Sequence, residues 1–326
     1  MLDVLARPAL DSILLGSLYT MMALGLTLTY KVTKIPNFAH AEYVTIGGYV
    51  TIVAVEALGG WPWALFAVPI AFGVAALVAV VVDELVFKPL FLRGAGPIHL
   101  LVASIGAGLI LRYIVTIYAD LSDLLTAKAN LSSNVIVFLA NASLTTLHVT
   151  IVPTVAGVVV ALHLLFTRTK IGKGMRAMAS NYDLARVSGI DTGVVRRLTW
   201  VLAGGLAGLA GAFWAIYNPI QTDTGWRALL YIFAAAILAG MTSFYGTIAG
   251  GYIVAAAGNF GVFFLNRAYG VDVGYQPLIA LAIIIAVFLI RPTGFAGLTW
   301  RDVVNRARSL AKRFVDAARR IGAARG

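Results

Sequence analysis

The stretch LDSILLGSLYTMMALGLTLTY, Leu10–Tyr30, carries one charged residue, Asp11, in 21 positions. An α-helix of that length rises about 30 Å, the thickness of the hydrocarbon core of a bilayer. Similar runs recur at about Tyr43–Leu58, Trp63–Val82, Ile98–Tyr118, Val149–Phe166, Leu198–Tyr217, Ala228–Thr242, Thr247–Leu265 and Tyr275–Ile290, which makes nine candidate spans. Two of them, Tyr43–Leu58 and Ala228–Thr242, are short and admit a re-entrant or half-spanning form, which a membrane tolerates where protein surrounds the backbone. The first run reads as a span and not as a signal peptide: Met1–Ala9 holds a single Arg, Asp11 interrupts the apolar stretch, and no small-residue cleavage site follows. The expected fold is all-α, a polytopic membrane bundle of about nine transmembrane helices, within a range of roughly eight to ten.

Composition points the same way. Of 326 residues, 60% are apolar and 12% are charged, against roughly 25% charged in soluble domains. With a mean hydropathy of +0.89, an ordinary soluble protein is excluded. Disorder requires low hydrophobicity and a collagen-like chain a strict glycine period, whereas the 33 glycines here are scattered inside apolar runs. The absence of cysteine removes disulfides, thiolate nucleophiles and Cys-ligated metals.

The net charge of +11 is mostly topology. Twenty of the 25 Lys and Arg residues fall on alternate connections: Lys31, Lys34, Lys88, Arg93, the seven from Arg168 to Arg197, Arg291, and the eight from Arg301 to Arg325. The other side receives only Arg7, Lys128, Arg227 and Arg267. Short basic connections stay in the cytoplasm, so the N-terminus is expected outside and the C-terminus inside. A nucleic-acid binder would need a sizeable soluble basic face, which this chain lacks.

No motif for an enzyme is present. The stretch nearest to a phosphate-binding loop, Gly172-Lys173-Gly174-Met175, lacks the Ser or Thr that would hold magnesium and follows no strand. His40, His99, His148 and His163 lie in separate segments without metal-ligand spacing. We expect no catalytic residue, no metal and no cofactor in this chain.

The most informative connection is Thr167–Leu198, TRTKIGKGMRAMASNYDLARVSGIDTGVVRRL. Met175–Ser188 carries Met175, Met178, Leu184 and Val187 and ends at Gly189, a residue suited to a helix C-terminus; Ile190-Asp191-Thr192 looks like a second helix start. Two short helices on the membrane face are expected, with a plain basic surface loop as the alternative. Asp183-Leu184-Ala185, three residues, then Gly189 resembles the E-A-A-x-x-x-G coupling motif of ABC importer permeases, with Asp183 for the Glu and Leu184 for the first Ala. The G-x-G-M-R-A before it, the A-G-G-L-A-G-L-A-G run at Ala203–Gly211, and Gly16-Ser17-Leu18-Tyr19, Ala23–Tyr30 and Asn37-Phe38-Ala39-His40-Ala41-Glu42 resemble the branched-chain amino-acid permeases, H-type. Ala41 departs from the family's usual Gly. With Ala234–Gly240, Gly246–Gly251 and Arg291–Phe295, the likeness extends to about residue 298.

The resemblance implies a permease subunit of an ABC importer for leucine, isoleucine or valine, with urea or short-chain amides as the alternative cargo. It implies a second, M-type permease, two cytoplasmic ATPases that hold the ATP-Mg, and an extracytoplasmic binding protein. Residues 1–298 form the permease domain, with the coupling loop at 167–198. In that loop Gly189 would allow a sharp exit, Ala185 close approach, and Arg176, Asp183 and Arg186 polar register with an ATPase. A stand-alone secondary transporter and a membrane scaffold are the rivals; the sequence disfavours both, the first through its shortage of intramembrane ionisable groups.

Several residues carry two readings. Asn37, His40 and Glu42 either line a translocation path, or Asn37 caps the following helix and Glu42 neutralises Lys31 or Lys34. Arg112, within Ile98–Tyr118, either faces that path or snorkels outward. The G-x-x-x-G pairs Gly204/Gly208 and Gly246/Gly250 are packing faces, unless broken helices near Pro219 or Gly246 present backbone dipoles to a zwitterion. Trp61, Trp63, Trp226 and Tyr231 read as interfacial anchors. The connection Ala119–His148 serves either binding-protein docking or structural cover, and residues 299–326 read as a basic amphipathic cytoplasmic tail on the inner leaflet of the lipid bilayer.

Overall fold

The computed structural model describes residues 2–60, 66–129, 135–139, 142–291 and 294, and each of the nine apolar segments carries a helix there. The helices are α1 Leu2–Thr33, α2 His40–Ala57, α3 Ala67–Val82, α4 Lys88–Leu92, α5 Pro97–Leu121, α6 Thr146–Arg168, α7 Lys170–Ser180, α8 Tyr182–Val187, α9 Thr192–Tyr217, α10 Thr224–Leu238, α11 Phe244–Tyr269 and α12 Gln276–Ile290. One π-helical turn, Asp83–Phe87, joins α3 to α4 without a break. Seven of these stretches are long and apolar enough to cross a membrane. The two spans missing from that set are α2 and α10, at 18 and 15 residues, or about 27 and 22 Å; they are the two short segments of the sequence.

Four short strands were not anticipated. β2 Val135–Leu139 and β3 Ala142–Thr145 form an antiparallel hairpin in the connection ahead of α6. β1 Thr126–Ala127 pairs antiparallel with β4 Ile220–Gln221, tying the exit of α5 to the entry of α10.

α9 is the centre of the bundle because its small residues let neighbouring backbones touch it. Gly204 and Gly208 leave no room for a side chain against Ala71, Ala75 and Ala79 of α3, and Gly211 sits directly on the Val44 carbonyl of α2. Lipid gives helices no hydrophobic reason to associate, so dispersion over such close faces, with hydrogen bonds between helices, holds them together. α1 and α11 add two hydroxyl pairs, Ser17–Tyr252 and Thr27–Thr247, each at 2.9 Å.

At one end of α9, Arg196 makes a two-pronged ion pair with Asp83, Nε to Oδ2 at 2.7 Å and the terminal nitrogen to Oδ1 at 2.6 Å. Both side chains are buried, at 7% and 1% exposure. The Arg196 guanidinium also lies 5.3 Å from the centre of the Phe91 ring, and Phe87 stacks on Trp200 at 5.1 Å. Charges taken out of lipid and water need this paired geometry to remain ionised.

Two sequence expectations change here. Tyr231 is no interfacial anchor: it is buried and stacks flat on Tyr19, ring centres 4.7 Å apart. The second short helix expected from Ile190 is the start of α9 itself, and the first is split in two at Asn181. Trp61, Trp63 and the tail at 299–326 lie outside the described residues.

Candidate functional site

The segment between α6 and α9 is built from three successive N-caps. Thr169 accepts from Gly172 N–H at 3.0 Å to start α7, Asn181 from Leu184 N–H at 2.9 Å to start α8, and Asp191 from Val194 N–H at 3.0 Å to start α9. Each short polar side chain satisfies a backbone donor that the helix start leaves unpaired. α8 ends in a Schellman turn: Ile190 N–H reaches the Ala185 carbonyl and Gly189 N–H the Arg186 carbonyl, both at 3.2 Å. Gly189 takes φ +79°, the left-handed region where a side chain is disfavoured.

The turn fixes which side of α8 faces the bundle. Ala185 is buried with Met175, Met178, Val32 and Val195 in a small cluster of their own, sealed by Tyr182 and Ile190. Its small side chain therefore permits close approach to this chain's own helix ends. Asp183 and Arg186 are exposed, as are Leu184 at 61% and Val187 at 80%. These two apolar side chains lie three residues apart, on one face of the helix. Arg176, also exposed, donates to the Phe166 carbonyl at the end of α6.

A second constellation lies inside the bundle, where α2 begins. His40 Nε2 bonds the Met22 carbonyl at 2.8 Å, and the His40 ring and the Ala203 carbonyl lie against Gly25. Met22 and Gly25 are eleven and eight residues from the end of α1, so α2 starts about 12–16 Å inside the bundle. The backbone from Lys34 to Ala39 drops into this depth and is held there by Ser104, which accepts from Phe38 N–H and donates toward the Pro36 carbonyl, each at 3.1 Å.

Asn37 does not cap α2. The N-cap is Ala39, and the buried side chain of Asn37, beside Tyr43, makes no well-formed hydrogen bond on either its oxygen or its nitrogen among the described residues. Tyr43 Oη and His40 Nδ1 are likewise buried without a partner among the described residues. Nor does Glu42 neutralise Lys31 or Lys34: it is 2% exposed and accepts from Thr45 Oγ1 at 3.3 Å. Thr45 in turn accepts from Gly225 N–H at 2.9 Å, which docks the first turn of α10 on the second turn of α2. The charges that act on Glu42 are Arg112 and Asp223. Arg112 neither reaches an acidic partner among the described residues nor points away from the bundle; its guanidinium lies 5.9 Å from the centre of the Trp226 ring in the first turn of α10.

The four residues singled out from sequence here thus fall into one neighbourhood, and the structure adds Tyr43, Thr45, Asp223 and Trp226. Pro219, just before β4 and α10, was the available signal for the last two, because it marks where the chain interrupts its helix. Among the described residues no group of three or more His, Asp or Glu side chains could hold a metal ion.

Comparison with known proteins places the chain in context. The family model described as "Branched-chain amino acid transport system / permease component" matches residues 9–290. The "Probable branched-chain amino acid transport permease protein LivH" of Methanocaldococcus jannaschii is 32% identical, over 90% of this chain and 92% of its own length. The "High-affinity branched-chain amino acid transport system permease protein LivH" of Escherichia coli K12 is 28% identical over 88% of this chain and 94% of its own. The "High-affinity branched-chain amino acid transport system permease protein BraD" of Pseudomonas aeruginosa is 27% identical over the same shares.

Proposed function

We infer the task of this chain from one premise: it belongs to the family of branched-chain amino acid transport system permease components. It is the H-type membrane subunit of an ABC importer that carries leucine, isoleucine or valine, paired with an M-type permease, two ATPases that hold the ATP-Mg, and an extracytoplasmic binding protein. The relatives described above carry branched-chain cargo in their names, which favours that cargo over urea or short amides.

The observation that carries this reading is α8. A short helix that exposes Leu184 and Val187 beside Asp183 and Arg186, and is locked by the Schellman turn at Gly189 to the start of the most central helix, is built as a lever. An ATPase groove would take the apolar pair, and Asp183 and Arg186 would set its register. Displacement of α8 would then pass through Ile190 and Asp191 into α9, which carries α2 and α3 on its glycine faces. The break where α2 and α10 begin would line the path: Glu42 and Asp223 would meet the ammonium of an amino acid, and Arg112 its carboxylate. Lys31, Lys34, Arg176, Arg196 and Arg197 share the α7–α8 end of the bundle, which supports placing that end in the cytoplasm and the N-terminus outside. The basic tail at 299–326 would lie on the same leaflet.

The test is co-purification from native membranes in mild detergent, followed by uptake in reconstituted vesicles. An ATPase and a second permease should accompany the chain, and ATP-driven leucine uptake should fall at least about tenfold in Leu184→Asp/Val187→Asp, since each side chain contributes roughly 1.5 kcal/mol when buried. Full uptake in that variant would overturn the lever, and uptake driven by an ion gradient without partners would overturn the importer.

A further inference from the structure

A cleft of about 340 Å³ opens between α1, α6, α7 and α11 at the α7–α8 end of the bundle. Its wall is apolar, formed by Leu24, Leu28, Phe166 and Phe244, while Lys31 and Arg176 stand at one end. From Lys31 to Leu24 the wall descends seven residues along α1, about 10 Å toward the middle of the membrane. The cations are not compensated: neither forms an ion pair among the described residues. The side-chain charges that act on Lys31 are Lys34 and Arg176, both of its own sign. Arg176 spends one donor on the Phe166 carbonyl, and a guanidinium has five. The remaining polar lining is already satisfied in part, with His163 Nδ1 and Tyr245 Oη hydrogen-bonded at 2.6 Å.

Two like charges at the head of an apolar slot, with Lys34 adding its charge from nearby, need an anion that brings its own apolar tail. We propose that this cleft is a binding site for one anionic phospholipid, with its phosphate between Lys31 and Arg176 and an acyl chain along Leu28 and Leu24. Basic pockets between membrane helices take such headgroups, and each cation near the surface adds about fivefold to the affinity. The inference rests on the orientation proposed above, because this end then faces the inner leaflet. Since Arg176 and Met175 belong to α7, a bound lipid would brace the base of the lever, and its loss would loosen the joint between α6 and α7.

The experiment uses the assembled complex, delipidated in detergent and titrated with phosphatidylglycerol or phosphatidylcholine, with bound lipid counted by native mass spectrometry. Phosphatidylglycerol should bind roughly 25-fold more tightly than phosphatidylcholine, from two cations at about fivefold each. Lys31→Gln and Arg176→Gln should each forfeit about fivefold of that preference, and Lys31→Arg should keep it. If Lys31→Gln fails to assemble, Arg176→Gln, at an exposed position, reads the same loss. Equal binding of the two lipids, or an unchanged preference in either Gln variant, would overturn the site. Displacement of phosphatidylglycerol by inorganic phosphate at equal concentration would assign the cations to a free anion and overturn the lipid. None of these binding outcomes depends on sidedness or cargo, so failure here leaves the importer reading standing, and failure of uptake leaves the lipid site standing.

Discussion

α9 and α12 reverse the rule that sorts helices in water. In the most apolar window of α9, 78% of residues are buried inside the chain; in the window that ends with α12, 6% are, although α12 is the more apolar of the two. In water the greasiest helix is driven inward. In a bilayer that drive vanishes between helices, because lipid tails are as apolar as leucine. What places α9 inside is shape and pairing: glycines at 204, 208 and 211, and a buried arginine with a carboxylate waiting for it. α12, Gln276–Ile290, is rich in large aliphatic side chains and offers few of either. Its outward side chains, such as Ile285 and Leu289, are left to lipid or to a neighbouring subunit.

The contrast can be tested in order of expected effect. Asp83→Ala should be the most damaging, because it strands Arg196 inside the bundle; removal of one partner from a buried pair costs about 3–5 kcal/mol. The measurement is the Tm of the solubilised protein, and an Asp83→Leu/Arg196→Met double variant should recover most of the loss. Gly211→Ala comes next, since its methyl group has nowhere to go against the Val44 carbonyl, and overpacking of this kind costs about 1–3 kcal/mol. Should Gly211→Ala leave Tm unchanged, shape would not be what seats α9. Gly189→Val places a β-branched residue at a left-handed φ, at about 1–2 kcal/mol. Here the surroundings are open, so the bundle should stay assembled while protease attack between α8 and α9 quickens and uptake per ATP falls. Ile285→Ala, half-exposed on α12, should move Tm by no more than the equivalent of about 0.5 kcal/mol. A loss as large as that of Gly211→Ala would mean that α12 is held by packing after all.

The same physics explains what could be read before the structure. All nine apolar segments were legible as helices because hydropathy is a local property, and so were Gly189 and the two short segments 43–58 and 228–242, which fall outside the seven helices long and apolar enough to cross a membrane. The neighbourhood of Asn37, His40, Glu42 and Arg112 was legible as a set of residues but not as a geometry. Nothing local says that α2 begins at the depth of Met22, or that Thr45 joins it to Gly225, 180 positions away. The Asp83–Arg196 pair spans 113 positions and was invisible for the same reason. The break at Asn181 had a signal that was passed over: Asn followed by Tyr-Asp-Leu is a good helix start, with Asp183 in the first turn. The exposure of Leu184 and Val187, against the burial of Met175 and Met178, follows from that break, which sets the two pairs on separate helices. The hairpin β2–β3 lacked a two-residue turn signature, and only its apolar run Val135–Leu139 stood out.

The seat of α2 also imposes a timetable on synthesis. α2 carries His40, Glu42 and Glu56 and is not among the helices apolar enough to hold a membrane position by themselves. Gly47 finds its place against Gly208, and Gly48 against Ile220 and Gly211, all of which leave the ribosome some 160 residues later or more. At about 5–20 residues per second, the wait is roughly 8–30 s. For that interval α2 has no final partner on α9, and the insertion machinery or a provisional neighbour must shelter its buried carboxylate.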